Sequence, residues 1–201
     1  MDTRTADVPR PGLRERKKAK TRALIQEVAL RLFAEQGYEQ TSIEQIADVA
    51  DVSVSTIFRY FPTKPDLVIY DDLDERLMDV MRAQPADLGA VEALRAGMQA
   101  VFGNLARSEL AVQLERAALM ASVPELRAAM LDELVRTMTE IAALISERTG
   151  RRTDDDAVVA LAGAVIGVSI GAWFGGGDKA LERFPERVDA GMALLASGFR
   201  L

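Results

Sequence analysis

The chain of 201 residues contains no cysteine and no histidine. Without cysteine there can be no disulfide, no thiolate nucleophile and no cysteine-ligated zinc. Without histidine the commonest general base and metal ligand is missing too. No serine–base arrangement replaces them. Residues 175–179, GGGDK, lack the spacing and the Ser/Thr of a phosphate-binding loop. These absences predict a protein that is not an enzyme, with no cofactor and no metal. Glycine, proline and β-branched runs are sparse, whereas Ala, Leu, Glu and Arg abound. The composition therefore predicts an all-α fold.

Near the beginning of the chain the sequence is polar, with Pro9 and Pro11 and no apolar core of a secretory signal. Residues 157–177 do run without a charge, which is long enough to span a bilayer. They are rich in Ala and Gly, follow Asp154, Asp155 and Asp156, and have no Lys/Arg cluster at their start. A buried helix of a core or an interface fits that composition better than a membrane span. The expectation is a cytoplasmic protein with no membrane partner.

Net charge is −6, with 49% apolar and 28% charged residues. Its distribution says more than its sum. Residues 1–64 carry 11 Lys/Arg against 9 Asp/Glu, while residues 65–201 carry 14 against 22. Positive potential is concentrated at one end, where it can meet phosphates.

Hydrophobic periodicity divides the chain into about nine helices. Residues 1–12, polar and proline-bearing, are expected to form a disordered arm. A helix over 13–36 carries an apolar stripe of Leu24, Ile25, Val28, Ala29, Leu32 and Phe33, ending at Gly37 as C′ residue. Ser42 and Gln45 form a capping-box pattern for the second helix, and Asp51-Val52 make a turn into a third over 53–61. Pro62 closes that unit, which predicts a helix–turn–helix domain at 13–62 and a second domain at 63–201. Thr63 is expected to cap a fourth helix that continues to Pro85. Further helices are expected over 88–106 and 109–121, then from a Ser122 cap to Gly150, from a Thr153 cap to a break at 175–177, and over 185–199.

On a helical wheel with Ile57 toward the core, Val54 and Phe61 fall on the same side. Ser55 and Arg59 point the other way, at about 160° and 200°, with Thr56 and Phe58 flanking them. Such a face suits a DNA major groove. Arg donates bidentately to guanine, Ser and Thr bond base edges or phosphates, and Phe touches a thymine methyl. The basic run at 14–22, with Arg16, Lys17, Lys18 and Lys20, lies just upstream. Lys64 and the Thr41/Ser42 end of the second helix are candidate phosphate contacts. The residues alone leave two readings open: a DNA reader, or a helical protein-interaction module with solvated faces.

The stretch ALRLFAEQGYEQTSIEQIA, the turn VADVSVSTIFRYF and the following PTKPDL resemble the DNA-binding domain of TetR-family transcriptional regulators, across about residues 14–67. The resemblance implies a homodimer on a palindromic double-stranded operator, usually a repressor released by a small-molecule effector. It implies DNA contacts from Thr41, Ser42, Val54, Ser55, Thr56, Phe58, Arg59, Tyr60 and Lys64. Two positions depart from the family pattern. Asp51 stands where the turn usually has Gly, and Phe58 where a phosphate-binding Tyr is frequent, a contact that Tyr60 is then expected to supply.

The acidic remainder is expected to bind ligand and to dimerise. Gly163, Gly167 and Gly171 recur every fourth residue and make a flat ridge for a symmetry mate, together with Val188, Met192 and Leu195 on the last helix. Intramolecular packing of the ridge is the alternative. Candidate pocket residues are Met98, Phe102, Leu119, Met120, Met130, Leu134, Met138, Trp173 and Phe174, with Arg116 for an anionic head group; ordinary core packing is the stronger reading of most of the apolar ones, and a solvated surface side chain that of Arg116. The passage LERAALMASVPELRAAML resembles the C-terminal domain of mycofactocin-type regulators in the same family, which implies an acyl-CoA-like ligand.

Overall fold

The structure is a computed structural model that describes residues 12–174 and 183–198. The arm expected at 1–12 and the break expected at 175–177 fall, but for Gly12, outside those residues. Ten helices lie among the described residues. Cα packing divides the chain into a unit ending at Val68 and a unit beginning at Ile69.

The first unit holds α1 (Leu13–Gln36), α2 (Ile43–Val49), α3 (Val54–Tyr60) and the short α4 (Asp66–Ile69). Its core is built from Ile25, Phe33, Ile46, Ile57, Phe61 and Leu67, all essentially inaccessible. Each such side chain contributes about 1.5–3 kcal/mol by leaving water. Leu24, expected in the apolar stripe of α1, is instead 45% exposed. The boundary falls beyond Pro62 because Leu67 and Val68 are fully buried and Gln26 Nε2 donates to the Leu67 carbonyl at 3.2 Å.

The capping box is formed. Gln45 N–H donates to Ser42 Oγ at 3.2 Å, and Ser42 N–H donates to Gln45 Oε1 at 2.7 Å. After α2, Val52 N–H reaches the Ala47 carbonyl at 3.0 Å and Asp51 N–H the Asp48 carbonyl at 3.4 Å. That pair of bonds is a Schellman closure, which needs a left-handed residue at its C′ position. Asp51 takes it, at φ 53°, the one non-glycine with positive φ among the described residues.

The second unit comprises α5 (Asp72–Arg82), α6 (Ala90–Phe102), α7 (Arg107–Ser122), α8 (Pro124–Thr149), α9 (Asp156–Phe174) and α10 (Phe184–Ala196). α6 packs on α5, α8 and α10, and α9 packs on α8 and α10. Leu94, Met98, Val101, Ile141, Ile145, Val158, Val165 and Met192 are central to the core. At Gly97 a Cβ would lie 2.5 Å from Met81 Cγ and 3.2 Å from Met81 Cα, so α5 and α6 touch almost backbone to backbone there. Arg148 on α8 donates to the carbonyls of Gln84, Pro85 and Leu88, fixing the turn between α5 and α6.

Three sequence expectations need correction. The helix expected from Thr63 to Pro85 is two elements: Asp71, in an extended conformation, accepts from Leu73 N–H at 2.8 Å and starts α5 afresh. Ser122 does not cap α8; it ends α7, and its hydroxyl donates to the Leu119 carbonyl. Asp155, not Thr153, caps α9, accepting from Ala157 N–H at 2.9 Å.

Candidate nucleic-acid interface and effector cavity

α3 is held by its first and last turns. Ser53 Oγ accepts from Thr56 N–H at 3.1 Å, satisfying one of the free donors at the helix start. The same hydroxyl lies 2.9 Å from Ser55 Oγ and 2.8 Å from Thr56 Oγ1, so three hydroxyls form one cluster. Sequence reasoning missed Ser53 as the hub, although a serine three residues before a threonine at a helix start is the available signal. Ile57 and Phe61 point fully inward, while Ser55, Phe58 and Arg59 are exposed. Val54, Thr56 and Tyr60 are half-buried. The Arg59 guanidinium carbon lies 5.2 Å from the centre of the Tyr60 ring, a cation–π distance that limits its wandering.

The basic run forms the first turns of α1, as the helix expected over 13–36 requires. Arg16, Lys17, Lys18 and Lys20 are all exposed along it. Ser42 is exposed as well.

Two of the expected contact residues have partners inside the unit. Thr41 is 1% exposed, and its hydroxyl sits 2.8 Å from the Gly37 carbonyl and 3.3 Å from the Leu32 carbonyl. Its side chain closes the end of α1 and is not presented to a partner. Lys64 Nζ donates to the Tyr38 carbonyl at 2.6 Å and stands 4.2 Å over the Tyr38 ring. This ammonium is anchored inside the unit. It is not a free clamp, because the aromatic pair of Phe33 and Tyr38 gives it a cation–π seat.

In the second unit a cavity of 160 Å³ opens among α5 to α10. Of the expected pocket residues, Met98, Phe102, Arg116, Met120, Met130, Leu134 and Trp173 line it. Leu119 does not, and Met138 packs against the core instead. The Phe174 side chain lies outside the described residues. Ile69, Asp71, Gln113, Glu133, Thr137, Ile166, Ser169 and Phe184 line it too, unforeseen. Thr137 was legible in principle: it continues the helical stripe of Met130, Leu134 and Ile141. A second cavity of 90 Å³ shares Asp71, Phe102, Gln113, Trp173 and Phe184 as its walls. The Phe102 and Phe184 rings meet edge-on at 5.1 Å, and Trp173 leans on Phe184 at 5.3 Å.

Arg116 is neither a solvated arginine nor a waiting anion site. Its side chain is 4% exposed and bridges Asp71 Oδ2 at 2.9 Å. It also donates to the carbonyls of Ile69, at 2.8 Å, and Tyr70, closing the chain between α4 and α5. The basic group is satisfied where it stands.

The outer face of α9 is different in kind. A Cβ placed at Gly163, Gly167 or Gly171 would meet nothing within 4 Å. Val159 and Ile170 on the same helix are exposed, as is Leu194 on α10. Residues Asp156–Trp173 have a mean hydropathy of 1.8, yet only 22% of them are buried, and by length and composition they could cross a membrane. Among the described residues the ridge thus makes no close intramolecular packing. Val188 and Met192, expected beside it, are 1% and 0% exposed and belong to the core, and Leu195 packs against that core. Their side of α10 is the one that holds the helix to α6 and α9.

A profile of the bacterial regulatory proteins of the tetR family matches residues 25–70, and one of the MftR C-terminal domain matches residues 88–200. The transcriptional regulator TcmR of Streptomyces glaucescens is 32% identical over 200 residues, covering 90% of this chain and 88% of its own. The regulator of Mycobacterium tuberculosis named for mycofactocin biosynthesis, MftR, is 27% identical over 161 residues, covering 79% of this chain and 80% of its own. In fold, the Thermus thermophilus repressor FadR in complex with lauroyl-CoA aligns with a TM-score of 0.57 at 23% identity, over 90% of this chain and 96% of that one. A capped helix–turn–helix, a second all-helical unit and matches along both place this chain in the TetR family of bacterial transcriptional regulators, with a DNA-binding N-terminal domain.

Proposed function

We propose that the chain acts as a homodimeric repressor of a palindromic operator, released by a small apolar or amphipathic effector. The observation that carries the DNA-reading half is α3: Ile57 is locked in the core while Ser55, Phe58 and Arg59 face outward. Arg59 is the base-reading candidate, Ser55 and Phe58 flank it, and Val54, Thr56 and Tyr60 support from the half-buried edge. Ser42, Arg16, Lys17, Lys18 and Lys20 are exposed positions for phosphate contacts, which set register without reading sequence.

Dimerisation is supported by the outer face of α9. Gly163, Gly167 and Gly171 leave room for another backbone beside exposed Val159 and Ile170. A second copy covers such a face isologously. A membrane is the competing solvent for these residues. Asp154, Asp155 and Asp156 at the start of α9 disfavour it.

Release follows from the lining of the cavity. Ile69 and Asp71 border it, Arg116 ties them to α7, and they directly follow the last residues of the DNA-binding unit in sequence. An occupant that displaces them moves the chain leading into that unit. In a dimer the two reading helices then leave the spacing of about 34–36 Å that successive major grooves demand. The effector must bind the DNA-free form more tightly for this to work.

Arg59→Ala tests the assignment. Loss of one bidentate base contact is expected to weaken operator binding by about 1–3 kcal/mol and to relax specificity at one position. Lys17→Ala should instead weaken all sequences alike and lower the salt slope by about one. Unchanged operator affinity in Arg59→Ala would show that α3 does not read DNA.

A further inference from the structure

We infer that the cavity of the second unit selects an aromatic cation over an anion of the same shape. This rests on the effector reading above and gives the effector a chemical class. Among the described residues, three charged ones line the cavity: Asp71, Arg116 and Glu133. The positive group among them is fully committed. Arg116 holds Asp71 at 2.9 Å and the carbonyls of Ile69 and Tyr70 from a side chain only 4% exposed. An entering anion would have to draw the guanidinium off those partners, leaving two carbonyls and a carboxylate uncompensated. A CoA-type phosphate or a carboxylate therefore meets no ready counter-charge there.

Glu133 is placed the other way. Its side chain is 19% exposed, but its ion partner Arg136 is 61% exposed, where water screens the pair. Counted over the described residues of its lining, the cavity has two carboxylates to one guanidinium. Asp71 and Glu133 also border an open groove that adds Glu75, Asp79 and Glu140 against Arg82 and Arg136. The field along that approach is negative and concentrates cations. Inside, Phe102, Trp173 and Phe184 supply aromatic walls, which attract a desolvated cation through their quadrupoles. Apolar volume, aromatic walls, a committed arginine and a carboxylate paired only with an exposed arginine together define a site for a flat organic cation.

Trp173 is the only tryptophan of the chain and lines this cavity, so its emission reports occupancy at the site itself. The full chain is titrated with three naphthalenes of matched size: naphthylmethyl-trimethylammonium, naphthylmethanol and naphthoate. Calorimetry measures affinity while Trp173 emission locates the site. The cation is expected to bind about tenfold more tightly than the alcohol, and the anion most weakly. Glu133→Gln should erode the advantage of the cation and leave the alcohol unchanged. Asp71→Asn keeps the size and capping ability of the side chain, and should strengthen naphthoate because Arg116 loses its carboxylate. The wild-type order alone decides the matter if a variant folds poorly. Equal affinities, a preference for naphthoate, or no Trp173 response to any probe overturns the inference. Operator binding by the ligand-free protein is measured separately. If that binding stands and the charge order fails, this inference falls alone; if it fails and the charge order holds, the regulator reading falls alone.

Discussion

Replacing Arg116 by methionine keeps the apolar stem and removes the guanidinium. The Asp71 carboxylate loses its 2.9 Å partner, and the carbonyls of Ile69 and Tyr70 lose their donor. Breaking a buried ion pair by deleting one partner costs about 3–5 kcal/mol. Two features move this case to the low end. Asp71 is 18% exposed, and it keeps its bond from Leu73 N–H at 2.8 Å. A loss of about 3 kcal/mol is expected, a large part of the 5–15 kcal/mol that holds a typical domain. Urea unfolding followed by Trp173 emission reads the second unit selectively, since the only tryptophan lies there. Asp71→Asn added to Arg116→Met should recover part of the loss, because the uncompensated charge is then gone. A double-mutant cycle gives the coupling directly. A loss in Arg116→Met below about 1 kcal/mol, the range of an exposed pair, would refute the claim that Arg116 organises the chain between α4 and α5.

Three further outcomes follow from local geometry. At Asp51, held at φ 53°, stability should rank Gly and Asn at or above Asp, with Ala lower by about 1 kcal/mol; thermal melts of the wild type and the three variants check the order. Gly97→Ala pushes a Cβ to 2.5 Å from Met81 Cγ and 3.2 Å from Met81 Cα, so overpacking should cost about 1–3 kcal/mol in urea unfolding, and a neutral result would mean that α5 and α6 separate freely. Asp189 accepts from Arg95 at 2.6 and 3.0 Å and from Gln99 at 2.6 Å, which holds its carboxyl below the ordinary 3.8. As pH falls the unfolded chain takes up this proton first. The stabilisation is therefore complete above about pH 5 and is lost as pH drops below 3.8 through the folded value. The stability gap between wild type and Asp189→Asn should shrink over that acid range and nowhere above it.

The parts of the first unit that depend on neighbours in sequence were legible. The Ser42/Gln45 box, the left-handed turn at Asp51 and the inward setting of Ile57 and Phe61 are local consequences of spacing and conformational preference. What went unread depends on distant packing. Thr41 looked like a helix-end hydroxyl, but the end of α1 swallowed it. Lys64 looked like a free cation, but Tyr38, 26 residues away, holds it. Arg116 looked like a surface or ligand arginine because no local pattern foretells that α7 lies against the chain between α4 and α5. The glycine spacing in α9 marked an open ridge, whereas Val188 and Met192 followed the ordinary rule that the apolar face of an amphipathic helix meets its own core. The cavity was half-legible: its methionines and aromatics stand out in the sequence, while Asp71 and Glu133 carry no local pattern that marks them as lining.

Selection of bound DNA from a random pool by the full chain tests the central claim most directly. Enrichment of an inverted repeat whose half-site centres are one helical turn, about 34–36 Å, apart is the predicted result, with the preference at one position of each half-site relaxed in Arg59→Ala. Recovery of no common sequence, or of a single half-site without its inverted partner, would contradict a paired reader built on α3 and the α9 ridge.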